Sequence, residues 1–255
     1  MVPFVAFDIE IANPFPDGVD DWQPFRPFGI SCAATLTSDG QMALWHGRNP
    51  GSAAPGDRMS REEVAELIAH LESLAAGGHT ILTWNGLGFD FDVLAEESGL
   101  TDHCRALALG HVDMMFHFFC LQGYALSLDR AAKGMGLAGK LPGMTGALAP
   151  RYWAEGRRQE VLDYVQQDVR TTLDLALRVQ QQHALTWTDS RGKSQRLRLP
   201  SGWLTVRQAM ALPLPNVSFM RNPWSRRKFT GWMGTLPSLN PPKGVQSSLP
   251  GLLDD

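Results

Sequence analysis

The chain lacks any long uninterrupted apolar segment. No run of about 18 apolar residues occurs among its 255 residues, so we expect no membrane span and no membrane partner. The first ten residues, MVPFVAFDIE, have no basic start and lead directly into an apolar run, so we expect no signal peptide.

Cysteine is also scarce, and the three cysteines form no CxxC pair. Cys32, Cys104 and Cys120 are therefore expected to be free, mostly buried thiols in a reducing compartment, which places the protein in the cytoplasm. The histidines near Cys104 and Cys120 match no common zinc spacing, which disfavours a zinc site. No GxGxxG follows the first apolar run, so dinucleotide binding lacks its usual sequence support.

Charge is distributed unevenly along the chain. Residues 1–182 hold 13 Lys and Arg against 23 Asp and Glu, a net charge of −10. Residues 183–232 hold nine Lys and Arg against one acid, Asp189, a net charge of +8. Two interpretations stay open, a solvated surface or a phosphate-binding surface beside a metal site. On the second, the cations that contact nucleic acid are Arg191, Lys193, Arg196, Arg198, Arg226, Arg227 and Lys228.

Hydrophobic periodicity predicts an α/β fold. Strands are expected at about 3–8, 28–36, 42–47 and 81–84, and the segment 111–119 should begin as a fifth strand and continue as a helix. Further helices are expected at about 61–76, 88–98, 127–136 and 157–182. The second and third strands form a predicted hairpin, so the five-stranded sheet should be mixed rather than fully parallel.

The same patterns divide the chain into three parts. The α/β domain takes residues 1–182, and a basic appendage with a β-hairpin at about 185–199 takes residues 183–232. Residues 233–255 are rich in Pro, Ser and Gly and are predicted to be a flexible tail.

Two carboxylates, Asp8 and Glu10, follow the first apolar run in FVAFDIEIANP. Strand side chains alternate with a period of two, so both should project from the same face, a few ångströms apart. Like charges beside an apolar strand repel, and desolvation increases the cost. The segment therefore raises the question of what balances these charges.

Two later segments also contain acids. In TWNGLGFDFDVL a strand ends and a helix follows, which places Asp90 or Asp92 near the first turn of that helix. In YVQQD, Tyr164 and Asp168 are four residues apart and share one face of the predicted long helix. Taken alone, this pair is interpreted either as a satisfied structural contact or as part of a site.

Together these segments resemble the DEDD superfamily of 3′-5′ exonucleases, in its tyrosine-bearing branch. Asp8-Ile9-Glu10 resembles the first motif, Asn85 to Asp90 the second, and Tyr164 to Asp168 the third, YxxxD. The segments 111–113 and 127–140 are similar to predicted exonucleases that resemble family-B DNA polymerase proofreading domains. The resemblance covers roughly residues 1–182 and leaves the basic appendage outside it.

The resemblance implies a ribonuclease H-like domain that hydrolyses phosphodiester bonds from single-stranded 3′ ends of DNA or RNA, with DNA favoured. Asp8, Glu10, Asp90 and Asp168 would hold two divalent cations, Mg²⁺ or Mn²⁺, which suits an all-oxygen ligand set. Two metal ions would then clamp the scissile phosphate and offset the repulsion among the carboxylates. Tyr164 would orient the attacking water by hydrogen bonding.

The resemblance also implies contacts to the substrate. Ile11, Asn85 and Phe89 would lie beside the terminal nucleotide, with Ile11 in the place of a Thr that is frequent in the family. Phe89 is equally a candidate for packing. The spacing from Asn85 favours Asp90 over Asp92 as the metal ligand, and Asp113 is interpreted as structural or as a residue that supports the metal ligands.

Two other functions are weighed against the exonuclease. A catalytically silent nucleic-acid-binding module with the same fold would be expected to lose a carboxylate or the tyrosine, and all five are present. An endonuclease of the RNase H type would be expected to lack YxxxD.

In the tail, Gln246, Leu249 and Leu252 loosely resemble peptides that hold the bacterial sliding clamp, and packing against the body is the alternative.

Overall fold

The computed structural model describes residues 3–14, 16, 23–139, 143–218 and 220–234. Its strands are β1 (Phe4–Ile11), β2 (Ile30–Thr37), β3 (Met42–His46), β4 (Thr80–Thr83), β5 (Val112–Asp113), β6 (Ala184–Thr188) and β7 (Ser194–Arg198). Its helices are α1 (Arg61–Ala76), α2 (Asp90–Ser98), α3 (Thr101–Gly110), α4 (Met114–Gln122), α5 (Leu128–Gly134), α6 (Ala149–Ala154), α7 (Arg158–Gln182), α8 (Val206–Met210) and α9 (Arg227–Thr230). Short 3-10 turns lie at Gln23–Phe25 and Gly231–Met233.

The first five strands form one sheet in the order β3-β2-β1-β4-β5. The pairs β1–β2 and β2–β3 are antiparallel, whereas β1–β4 and β4–β5 are parallel. The predicted mixed five-stranded sheet flanked by helices is therefore confirmed. The periodicity does not predict α3, α6, α8 and α9, which are short helices of the kind that tertiary packing stabilises.

The sheet separates two hydrophobic clusters, and β1 contributes to both. Val5 and Phe7 pack on one face with residues of α1, α2 and α3, whereas Phe4 and Ala6 pack on the other with residues of α7. This alternation is the period of two expected for a strand that is buried on both sides. Asp8 and Glu10 continue the row that faces α7.

α7 is the long helix that the sequence predicts, and its apolar stripe is buried as expected. Val161, Val165 and Val169 lie in the cluster on its face of the sheet. Tyr164 and Asp168 are buried on the same helix. Within the described residues, neither α7 nor any other helix is long and apolar enough to cross a membrane.

The basic segment after α7 packs against the body on both faces of the sheet. Its hairpin, β6 and β7, forms a separate two-stranded sheet whose Leu185 and Trp187 join the cluster with α7. Farther along, Val206 and Phe229 join the cluster on the opposite face. The predicted boundary at residue 182 coincides with the end of α7, but the segment beyond it shares the cores of the first 182 residues.

A single carboxylate organises the loop between β4 and α2. Asp113 accepts hydrogen bonds from the backbone amides of Asn85 (3.0 Å) and Leu87 (2.9 Å). It also caps α4 by accepting from the Phe116 amide at 2.9 Å. Asn85 has a φ of 76°, a left-handed conformation that asparagine tolerates better than most residues. Asp113 therefore fixes the loop that leads to Asp90, in keeping with its predicted structural role.

Replacing Asp113 by Ala should lower the free energy of unfolding by about 2–5 kcal/mol, because three buried amides lose their acceptor. The measurement is urea unfolding followed by tryptophan fluorescence. Asp102→Ala is the control, since it removes a carboxylate that is 87% exposed and should change stability by less than about 0.5 kcal/mol. Equal stability of both variants would show that the loop amides find other acceptors.

Candidate active site

The first two acids of the site stand where β1 extends beyond its neighbour. The pairing of β1 with β4 ends at Ala6 and Leu82, whereas its pairing with β2 continues to Ile11. Asp8 and Glu10 therefore project at the end of the sheet where β4 diverges from β1, on the face covered by α7. Glu10 is 5% exposed and Asp8 is partly buried.

α7 brings a third acid to this edge. One carboxylate oxygen each from Asp8, Glu10 and Asp168 lies within 4.8 Å of the other two, and Asp168 is 4% exposed. Three carboxylates so close and so little hydrated repel one another strongly. Divalent cations that prefer oxygen ligands, such as Mg²⁺ and Mn²⁺, fit this donor set and would offset the repulsion.

Asp90 joins the site from the first turn of α2. Its Oδ1 accepts a hydrogen bond from the Ile9 amide at 3.1 Å. The carboxylate therefore lies against β1 at the residue between Asp8 and Glu10. Burial, together with the charges of Asp113 and Asp168, raises the pKa of Asp90 to about 7, although the hydrogen bond from the Ile9 amide acts in the opposite direction. Asp90 therefore lies within electrostatic reach of Asp168, but it is not one of the three acids whose oxygens lie within 4.8 Å of one another, and its role as a fourth ligand stays a prediction.

Asp92, the competing acid of the second motif, is held elsewhere. The Arg26 guanidinium bonds to Asp92 and, at 2.6 Å, to Glu96. These ion pairs hold the loop after β1 against α2. The contacts therefore favour Asp90 over Asp92 as the ligand, as the spacing from Asn85 predicts.

Tyr164 lies beside the acids on α7, one turn before Asp168. Burial raises the pKa of the Tyr164 phenol well above its usual range, and the charges of Asp168, Glu10 and Asp8 act in the same direction. A hydrogen bond to Asp168 adds to the shift. The phenol therefore keeps its proton at neutral pH and can donate a hydrogen bond, but it cannot act as a base there.

Sequence reasoning did not find Cys32 beside the acids. Cys32 pairs with Glu10 across β1 and β2, and burial together with the Glu10 charge raises its pKa well above the usual value. The neighbouring Ser31 hydroxyl donates to the Glu10 carbonyl at 3.0 Å, where the register of the two strands shifts. The thiol is thus a neutral neighbour of the acids, and only the strand register places it there.

The three predicted substrate contacts have structural roles of their own. Ile11 is buried on the face of β1 opposite the acids, in the cluster with Phe28. Asn85 forms the turn after β4, and Phe89 stacks on Phe28 with ring centroids 6.3 Å apart. Contacts of these residues with a nucleotide stay predictions.

The four hairpin cations are exposed on one structural unit. Arg196 and Arg198 are two residues apart on β7 and project from the same face, while Arg191 and Lys193 lie in the turn. Asp189 shapes this turn, because its carboxylate accepts from the Arg191 and Lys193 amides, both at 2.9 Å. The one acid of the basic segment is therefore used to fold the turn.

Arg226, one of the cations predicted to contact nucleic acid, has a structural role, and its contact with nucleic acid stays a prediction. Its guanidinium donates to the carbonyls of Met210 (2.8 Å), Leu212 (2.9 Å) and Pro213 (3.0 Å). These bonds close the end of α8 and leave the group committed to the fold. Charge counting along the sequence cannot detect this use of an arginine.

The histidines weighed for zinc have other contacts. His103 bonds to Glu72 at 2.8 Å, and His117 accepts from the Leu204 amide at 3.2 Å. His111 lies 3.0 Å from the Thr83 hydroxyl, and burial lowers its pKa to about 4. These contacts give each ring a structural role.

The predicted clamp-docking residues of the tail lie outside the described residues.

Comparison with solved structures supports the fold. A family B DNA polymerase from the hyperthermophilic archaeon Pyrobaculum calidifontis matches 71% of this chain with a TM-score of 0.51 and 22% identity, and the match covers 25% of the polymerase chain. Exonuclease I in its apo form matches 70% of this chain at 12% identity and a TM-score of 0.37, over 42% of its own length. A complex of ExoI with SSB-Ct matches 64% of this chain at 13% identity and a TM-score of 0.36, and the match covers 43% of that chain.

The likeness to the polymerase shows a shared fold and no more. The chain spans a quarter to less than half of the length of the proteins it matches. No curated protein sequence matches it. The model of a protein family, described as the RNase H superfamily, matches residues 53–180, which is half of the chain. This match agrees with the mixed five-stranded sheet and with the acids at its edge, and it supports a nuclease. The chain belongs to the RNase H superfamily.

Proposed function

We propose that the protein is a metal-dependent 3′-5′ exonuclease that removes nucleotides from single-stranded 3′ ends, with DNA favoured over RNA. The observation that supports this most directly is the group formed by Asp8, Glu10 and Asp168, with oxygen atoms within 4.8 Å of one another. Asp90 and Tyr164 lie beside this group. The 3′-5′ direction and the tyrosine-bearing subtype are what the resemblance of the three motifs to the exonucleases implies.

In this proposal Asp8, Glu10, Asp90 and Asp168 hold two divalent cations, Mg²⁺ or Mn²⁺. When bound, such cations activate a water molecule and neutralise charge on the scissile phosphate and the leaving 3′ oxygen. The carboxylates set the positions of the cations, because each is attached to a buried strand or helix. The partly buried position of Asp8 leaves this side of the group open to a substrate.

Tyr164 has an orienting role in the proposal. Its phenol stays protonated, because burial and the nearby carboxylates raise its pKa. Because the O–H bonds to Asp168, the phenol oxygen can accept a hydrogen bond from a water molecule and hold that water in place. Because the phenol keeps its own proton, it does not take up the proton that the attacking water releases.

The exposed cations of the β6–β7 hairpin extend the proposed substrate path. Arg191, Lys193, Arg196 and Arg198 stand on a hairpin whose β6 strand packs against α5 and α7. A positively charged surface beside a nuclease site attracts the phosphodiester backbone of any sequence.

The carboxylates are tested with end-labelled single-stranded DNA and RNA, each incubated with Mg²⁺, Mn²⁺ or EDTA and resolved as a ladder. Asp8→Ala and Asp168→Asn should each lower the cleavage rate more than about a hundredfold, since even residues that only support metal ligands contribute about 10–100-fold. The metal-free variants should melt at or slightly above the temperature of the wild type, because repulsion is relieved.

Asp174→Asn is the matched control for these carboxylates, because Asp174 is an exposed acid on the same helix. It should cleave at the wild-type rate. Full activity of Asp8→Ala and Asp168→Asn would remove the proposed site. Binding without cleavage by the wild type under every condition would favour the silent module, and internal cuts would favour an endonuclease.

Tyr164→Phe should lower kcat about ten- to a hundredfold, because one hydrogen bond to a charged group contributes about 1.5–3 kcal/mol. The variant should keep the wild-type dependence of rate on pH between neutral pH and about pH 9, since the raised pKa of the phenol lies outside that window. Tyr152→Phe on α6 serves as the control. A change in the shape of the pH profile would mean that the phenol transfers a proton.

The hairpin cations are tested in two pairs, Arg191→Ser with Lys193→Ser, and Arg196→Ser with Arg198→Ser. Each pair should weaken single-strand binding for all sequences alike and reduce the salt slope by up to about 1.4, at about 0.7 per lost phosphate contact. Fluorescence anisotropy in EDTA measures both quantities without cleavage. The control pair removes the same charge from the opposite side of the sheet, with Arg48→Ser and Arg61→Ser. Slopes equal to that of the control would assign the hairpin cations to the protein's own acidic surface.

A further inference from the structure

A second positively charged feature lies at the end of the basic segment. A cleft of about 460 Å³ separates the β4–α2 loop from the end of the basic segment. Gly88 lines it on the loop side, and Arg227, Lys228 and Trp232 line it on the other. Gly88 is two residues before Asp90, and the cleft opens on the side of α2 that Asp92 faces, whereas Asp90 faces β1. The resemblance to the exonucleases does not extend to residues 227–232.

The cationic wall of this cleft is firmly attached to the body. Phe229 is buried, and its ring centroid lies 4.8 Å from that of Phe119 and 5.5 Å from that of Phe116. The Trp232 indole nitrogen donates to the Leu87 carbonyl at 2.7 Å, which ties the segment to the loop before Asp90. The cations beside Phe229 therefore have a defined position relative to the carboxylates.

The acid in the cleft is already neutralised. Asp92 lines the wall, and its carboxylate is paired with Arg26, which also bonds to Glu96. Three cations and one acid occur among the described residues that line the cleft. Arg227 and Lys228 are exposed at its surface. The balance of charge therefore suits an anion.

An exposed aromatic ring adjoins the same cations. Trp224 is 46% exposed, and the Lys228 ammonium lies 3.6 Å from the centroid of its ring. Alternation of cations and accessible aromatic faces is the arrangement by which proteins bind the backbone and bases of single strands without sequence preference.

We propose that this cleft is a subsite for the phosphodiester backbone of a bound single strand. Arg227 and Lys228 bind a phosphate, and the neighbouring base stacks on Trp224. The subsite rests on the proposed function for its role, since it holds the strand whose 3′ end reaches the carboxylates. It adds affinity for strands of several nucleotides and no contact to the scissile bond.

The first test measures binding in EDTA, so that cleavage does not enter. Arg227→Ser with Lys228→Ser should weaken binding of a labelled single strand by about tenfold and lower the salt slope by about 1.4. Arg207→Ser with Arg221→Ser is the matched control, because both are exposed cations of the same segment and neither lines the cleft. Trp224→Ala should weaken binding and leave the salt slope unchanged, since stacking releases no counterions. Thermal melting confirms that each variant is folded.

The second test separates the cleft from the chemistry. The 4-nitrophenyl ester of thymidine 5′-monophosphate, a substrate too short to reach the cleft, should be hydrolysed in Mn²⁺ at equal kcat/KM by the wild type and the Arg227/Lys228 variant. The same variant should show a raised KM on a long single strand.

The outcomes distinguish the two proposals. A wild type that hydrolyses neither substrate would overturn the proposed function, while the anisotropy comparison would still decide whether the cleft binds a strand. Equal binding by the cleft variant and its control would overturn the subsite. The subsite would also be overturned if the Arg227/Lys228 variant lost binding of free thymidine monophosphate but kept wild-type binding of the single strand, because the cleft would then hold a small anion.

Discussion

Repulsion among buried carboxylates is the constraint on which the arrangement of this protein depends. Asp8, Glu10 and Asp168 converge within 4.8 Å although two of them are almost fully buried. Free energy from packing must hold them there, and β1 is buried on both faces for this reason. Each fully buried apolar side chain, such as Val5 or Phe7, contributes about 1.5–3 kcal/mol. The strand can therefore present charges at its end that would be unstable on a less buried element.

The divergence of β4 from β1 both opens the site and determines what surrounds it. Beyond Leu82 the amides of β1 have no partner on this side from β4, and Asp90 accepts from one of them, that of Ile9. The loop after β4 likewise places its Asn85 and Leu87 amides on Asp113. The carboxylates of Asp90 and Asp113 thus accept hydrogen bonds from backbone amides that the divergence of β4 leaves without a strand partner. These bonds fix the position of Asp90 relative to the other acids.

The basic segment shows how charge and packing are combined on one stretch of chain. Its apolar residues, among them Trp187 and Phe229, complete the cores on the two faces of the sheet. Its cations divide between the fold and the surface. Arg226 binds three carbonyls, whereas the hairpin cations and Arg227 are exposed. Because the segment is anchored at several points, its exposed cations keep fixed positions relative to the body.

The sequence by itself determined the order of the elements, the mixed sheet, the stripe of α7 and the identity of the acids. Periods of two and 3.6 residues are local properties, and Asp8, Glu10, Tyr164 and Asp168 stand at spacings that these periods place on one face. The tertiary structure alone decided that Asp92 pairs with Arg26 and that Arg226 bonds to three backbone carbonyls. It also decided that Cys32 adjoins Glu10 and that Arg227 and Lys228 line a cleft beside Gly88. These facts depend on strand register and on contacts between residues far apart in the chain, which no local pattern encodes.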